Sequence, residues 1–110
     1  MNVVQSSEAA RILSVGVWLG PEHRNWALSK EQALIAIDRL RDAGITVLGG
    51  DVLGGPEDNY RPTYDNWYFE PQSSGAESDA VSSGALKASA YLSAYPVADV
   101  YFALVTAVMD

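Results

Sequence analysis

The chain has 110 residues and no cysteine, with 48% apolar and 10% aromatic residues and 14 acidic side chains against seven basic ones. That length and apolar content predict one domain around one core and exclude an acidic disordered tail. The missing thiol excludes disulfides, thiolate zinc sites and cysteine nucleophiles, and a net charge of −7 excludes the phosphate-neutralising surface of most nucleic-acid binders.

The charge is concentrated in one place. Residues 1–50 carry five acids and five bases, whereas residues 51–79 carry Asp51, Glu57, Asp58, Asp65, Glu70, Glu77 and Asp79 against Arg61 alone. Six of the seven excess charges therefore lie in that central stretch. Gln5, Ser6, Ser7, Glu8 and Arg11 interrupt any secretory signal. The longest apolar runs, Ile12 to Gly20 and Val100 to Met109, reach only about half of the ~20 residues a spanning helix needs. A cytoplasmic protein without a membrane partner is expected.

In chain order, Ser7 to Ser14 predicts a short helix with Ser6 or Ser7 as cap and Ala10, Ile12 and Leu13 on its apolar side. Gly16, Gly20 and Pro21 then break the pattern, and the stretch to Leu28 reads as an irregular connection carrying Trp18, His23 and Trp26. A helix follows from Lys30 to Ala43. Ser29 and Gln32 form a capping-box pattern, and Gly44 suits the left-handed position after the last turn. Ala33, Leu34, Ile37 and Leu40 share one side of it, while Asp38, Arg39, Arg41 and Asp42 read as a solvated face.

Ile45 to Leu48 reads as a buried strand that continues through Val52 and Leu53 past a bulge. Residues 54–62 are turn chemistry, and an aromatic strand fits Tyr64 to Glu70. A helix from Asp79 to Tyr95, stopped by Pro96, carries Val81, Ala85, Ala88, Leu92 and Tyr95 on one stripe. Gly84 within it costs about 1 kcal/mol relative to Ala. Val100 to Val108 predicts a third strand, with Ala103, Ala107 and Met109 leaving a helix as the alternative. The expected fold is α+β, a small mixed sheet of about three strands packed against two or three helices. The second and third strands, if neighbours, would run parallel through a right-handed crossover.

Catalytic signals are sparse. His23, beside Glu22 and Arg24, reads as a loop histidine, and the lack of a spaced ligand set predicts neither metal nor cofactor. Gly49-Gly50 and Gly54-Gly55 around Asp51 match no phosphate or dinucleotide fingerprint and read as backbone geometry. Asp51 and Asp65 form a candidate carboxylate pair for a small hydrolase. The richest cluster interleaves Tyr60, Tyr64, Trp67, Tyr68 and Phe69 with Glu57, Asp58, Asp65 and Glu70. Alternation puts Tyr64, Asn66 and Tyr68 on one face and Asp65, Trp67 and Phe69 on the other, so one set fills a core and the other needs cover or a partner.

Three segments, Asn25-Trp26-Ala27-Leu28-Ser29-Lys30-Glu31-Gln32-Ala33-Leu34, Ile45 to Val52 with its Gly49-Gly50-Asp51-Val52 ending, and Tyr64-Asp65-Asn66-Trp67-Tyr68, resemble immunity protein family forty of bacterial polymorphic toxin systems. The likeness continues through Ala88, Tyr91, Leu92 and Tyr95 into Tyr101 to Val105. Leu53 stands where the family often has an aromatic residue after Gly-Gly-Asp-Val.

The resemblance implies a small α+β protein, encoded beside a toxin gene, that binds the toxin and protects the producing cell without catalysis. Charge density and loop placement nominate Asp51, Glu57, Asp58, Tyr60, Asp65 and Trp67 as contacts to a basic toxin surface. The alternatives are the small hydrolase and a generic acidic adaptor.

Overall fold

The computed structural model describes residues 6–55, 60–71 and 77–107. Ser6 caps the first helix, α1 (Ser7–Leu13), its hydroxyl accepting from the Ala9 amide at 3.2 Å. Ala9, Ile12 and Leu13 are buried on one side, packed towards the second helix. That helix, α2 (Lys30–Asp42), begins with the expected capping box. The Ser29 hydroxyl accepts from the Gln32 amide at 3.1 Å, and the Gln32 carboxamide oxygen accepts from the Ser29 amide at 3.0 Å. Gly44 takes φ 75° after its last turn, the conformation glycine adopts without a Cβ penalty.

Between the two helices the chain is more ordered than its Gly and Pro content suggests. Val17–Trp18 (β1) and Trp26–Ala27 (β2) pair antiparallel as a two-residue ribbon. The next residue, Leu28, bridges to the far end of the chain: its amide donates to the Phe102 carbonyl at 2.9 Å, and the Phe102 amide donates back at 2.8 Å.

The main sheet consists of β3 (Val47–Gly54), β4 (Arg61–Tyr68) and β5 (Tyr101–Thr106), in the order β4-β3-β5. Both pairings are antiparallel, which corrects the expected mixed sheet. β4 and β5 do run in the same direction, each being antiparallel to β3, which lies between them. The connecting helix, α3 (Glu77–Ala94), passes over β3 on the way. β4 starts three residues earlier than Tyr64, because Pro62 and Arg61 extend the pairing to Leu53 and Gly54 instead of closing the turn.

Packing of α2 and α3 together on one face of this sheet forms the core. Ile37, Leu40, Ala85, Ala88 and Leu92 from the helices meet Val52, Trp67, Phe102 and Leu104 from the strands. Gly84 makes the approach of α3 possible, since a Cβ there would stand 2.7 Å from the Val47 carbonyl oxygen and 3.3 Å from Phe69 and Thr46. The helix gives up propensity at that position and gains contact with the sheet.

Candidate functional site

The Gly-Gly pair and the aromatic strand form one structural unit. A Cβ on Gly50 would lie 2.4 Å from Trp67 Cη2 and 2.7 Å from the Ala103 carbonyl, so the indole rests on bare backbone. Its other face stacks on Tyr91 of α3, with centroids 4.7 Å apart and planes 27° apart. Gly49 has φ 153°, and a side chain there would run into the Trp67 carbonyl at 2.3 Å. Trp67, one of the nominated contacts, is thus 7% exposed and sits in the core. Its indole N–H is buried without a hydrogen-bond acceptor among the described residues.

The remaining nominated residues separate by face. Val52 and Gly50 point towards the helices, so Asp51 between them projects from the opposite, open face and is exposed. Asp65 lies on the helix side, where its carboxylate accepts the Tyr95 hydroxyl proton at 2.6 Å. That bond, followed by partial burial, raises the Tyr95 pKa above its ordinary value of 10.0, and burial followed by the Asp65 charge raises that of Tyr91. The two carboxylates of the hydrolase reading therefore share no cleft. Tyr60 is half-buried, meeting Tyr101 edge to face at 4.9 Å across β3. Glu57 and Asp58 lie outside the described residues.

On the open face, beside the nominated Asp51, stand Tyr64, Asn66 and Tyr68, which the sequence placed together on one face but did not rank as contacts. Asp51 lies between Asn66 on β4 and Ala103 on β5, and Gly49 lies between Tyr68 and Val105. Tyr68 is 65% exposed and Tyr64 85% exposed. Tyr64 sits in a bulge where Thr63, Tyr64 and Asp65 oppose Val52 alone, since Asp51 pairs with Asn66 and Leu53 with Pro62. There it takes φ 69°, at a cost of about 1–2 kcal/mol for a residue with a side chain. The Thr63 hydroxyl fixes the bulge by donating to the Val52 carbonyl at 2.8 Å and accepting from the Asp65 amide at 3.2 Å.

Charge is distributed along the same division. On α1 and α2 five of the exposed charges pair locally, Arg11 with Glu8 at 3.1 Å and Arg41 with Asp38 and Asp42 at 3.5 and 3.6 Å. A groove of about 470 Å³ beside them is lined by Glu8, Arg11, Ile12, Arg39, Asp42 and Ala43, charges of both signs. Among the described residues, Asp51, Asp65, Glu70 and Asp99 on and around the sheet have no ion-pair partner. No group of three or more His, Cys, Asp or Glu side chains there is placed to hold a metal ion. No helix among them is long and apolar enough to cross a membrane.

Residues 13–106 match the sequence profile of immunity protein 40. The chain belongs to this immunity protein family. No curated protein and no solved structure is significantly similar to it. Most motif residues that resemble the family prove to be architectural. Asn25 is 3% exposed and donates its side-chain amide to the Leu104 carbonyl at 2.8 Å, extending the sheet edge beyond Leu28. Trp26 tilts against Trp18 at 4.8 Å, Gly49 and Gly50 seat Trp67, and Val52 is core. The exceptions are Asp51, Tyr64, Asp65, Asn66 and Tyr68, the motif residues that the fold leaves open to solvent on this strand pair.

Proposed function

We propose that this chain is the inhibitor half of a toxin–immunity pair, a non-catalytic protein of the bacterial cytoplasm that binds a cognate polymorphic toxin domain and occludes its active or substrate-binding surface. Membership of the immunity protein 40 family over residues 13–106 carries the reading. The excess of acid in residues 51–79 supports a toxin surface rich in Lys and Arg, of the kind that enzymes acting on nucleic acids present. Asp51, Glu57, Asp58, Tyr60, Asp65 and Trp67 are the contacts the sequence nominates. Charge complementarity of this kind accelerates association to about 10⁸ M⁻¹s⁻¹ or more at low salt, and desolvated aromatic anchors slow dissociation.

Mixing the purified chain with the purified domain encoded beside its gene tests the reading. The two should elute together, and the activity of the toxin should fall as the complex forms. Separate elution with undiminished toxin activity refutes it.

A further inference from the structure

Resting on the immunity reading, we infer that the toxin docks on the open face of the three-stranded sheet, with Tyr64 and Tyr68 as anchors and Asp51 as the charge that meets a Lys or Arg of the partner. Three observations converge on this face. Two tyrosines 85% and 65% exposed flank the exposed Asp51–Asn66 pair on the strand that carries the family-like motif. Large amphipathic rings of this kind, presented on rigid backbone, are what interfaces use as hot spots.

The bulge supplies the second line of argument. Tyr64 stays at φ 69° because Thr63 bonds on both sides of it, the Asn66 side chain donates to the Tyr64 carbonyl at 3.3 Å, and Asp65 is tied to Tyr95. The ring gains no burial from this arrangement. A strained, pinned and solvent-facing tyrosine is fixed before the partner arrives, so little ordering is left for the binding step.

Charge commits the face to one occupant. The acids of α1 and α2 are largely neutralised within their own helices, while Asp51 on the sheet has no cation of its own among the described residues. A basic surface complements this face. Docking is side-on through side chains, since the free edge of β4 is blunted against strand addition. Pro62 offers no N–H, the bulge breaks the ladder, and the Lys87 ammonium donates to the outward Tyr68 carbonyl.

The test measures association and dissociation of the purified toxin domain encoded beside the gene, with thermal melting of each variant as a fold check. Tyr64→Gly suits the positive φ and should leave melting unchanged or raised. Tyr64→Gly and Tyr68→Ala should each speed dissociation about thirty-fold, the scale of an interface hot spot. Asp51→Lys should slow association and reduce its salt dependence. Ile35→Ala, an exposed apolar change on α2, should bind as wild type. If the three sheet variants bind like wild type, the docking face is wrong while the immunity reading stands. If the wild-type chain itself does not capture the toxin, both fall.

Discussion

The seating of Trp67 on Gly50 makes a prediction whose size follows from the geometry. In Gly50→Ala the new methyl would stand 2.4 and 2.8 Å from two ring carbons of Trp67 and 2.7 Å from the Ala103 carbonyl oxygen. Ordinary carbon contacts are about 3.5–4.0 Å, so the ring or the strand must shift by roughly 1 Å. Trp67 has nowhere to retreat because Tyr91 stacks on its other face at 4.7 Å. Overpacking of this kind costs about 1–3 kcal/mol, and a strand alanine recovers about 0.5–1 kcal/mol over glycine. With the clash on a buried ring and on backbone at once, the net loss is placed at about 2 kcal/mol, or a melting temperature lower by about 8 °C at roughly 4 °C per kcal/mol.

A second substitution makes the test specific. Trp67→Phe removes the outer ring atoms that the methyl would strike and costs stability by itself. In that background Gly50→Ala should be milder by about 1 kcal/mol, a coupling that chemical denaturation of the four proteins in the cycle measures directly. Melting of Gly50→Ala within 2 °C of wild type, about the experimental scatter, or strict additivity in the cycle, would refute the seating.

Gly84→Ala should destabilise the protein by about 1 kcal/mol despite the better helix former, because the Val47 carbonyl lies 2.7 Å from the new methyl; a rise in denaturation midpoint would contradict the close approach of α3. Ser29→Ala removes the acceptor for the Gln32 amide and should cost about 1 kcal/mol, read from the same denaturation curves, with no loss meaning that the box is not formed. The raised pKa values of Tyr91 and Tyr95 mean that folding favours the neutral phenols. Their contribution is present in full below the ordinary value of 10.0 and is lost as pH rises above it. Tyrosinate absorbance should show a component that ionises above the ordinary value of 10.0, and Tyr95→Phe should flatten the alkaline loss of stability.

The α+β architecture was legible wherever a local rule decided the conformation. Ser29, Gln32 and Gly44 bound α2 because caps and left-handed glycines act over a few residues. Strand order was not legible, since the sequence shows only that a helix joins β4 to β5, and whether β3 lies between them depends on how α3 packs across the sheet. The ribbon of β1 and β2 escaped notice because its two-residue strands have no periodicity, and its anchor, the Leu28–Phe102 bridge, joins residues far apart in the chain. Alternation along the aromatic strand correctly divided Trp67 from Tyr68. It could not say which set faced the helices until Gly50, without a side chain, was found beneath the indole. The same uncertainty placed Trp67 among the contacts and left Tyr64 and Tyr68 as motif residues. The strain at Tyr64 has no signature in the residue types, because it arises from the mismatch in register between β3 and β4.

The central claim, that this chain neutralises a toxin, is tested most directly by survival. Cells expressing the toxin domain encoded beside the gene are grown with and without this chain, and viable counts are compared. The account predicts that the chain restores growth and that a version carrying Tyr64→Gly with Asp51→Lys, folded and equally abundant, protects less. Equal killing with and without the wild-type chain contradicts it.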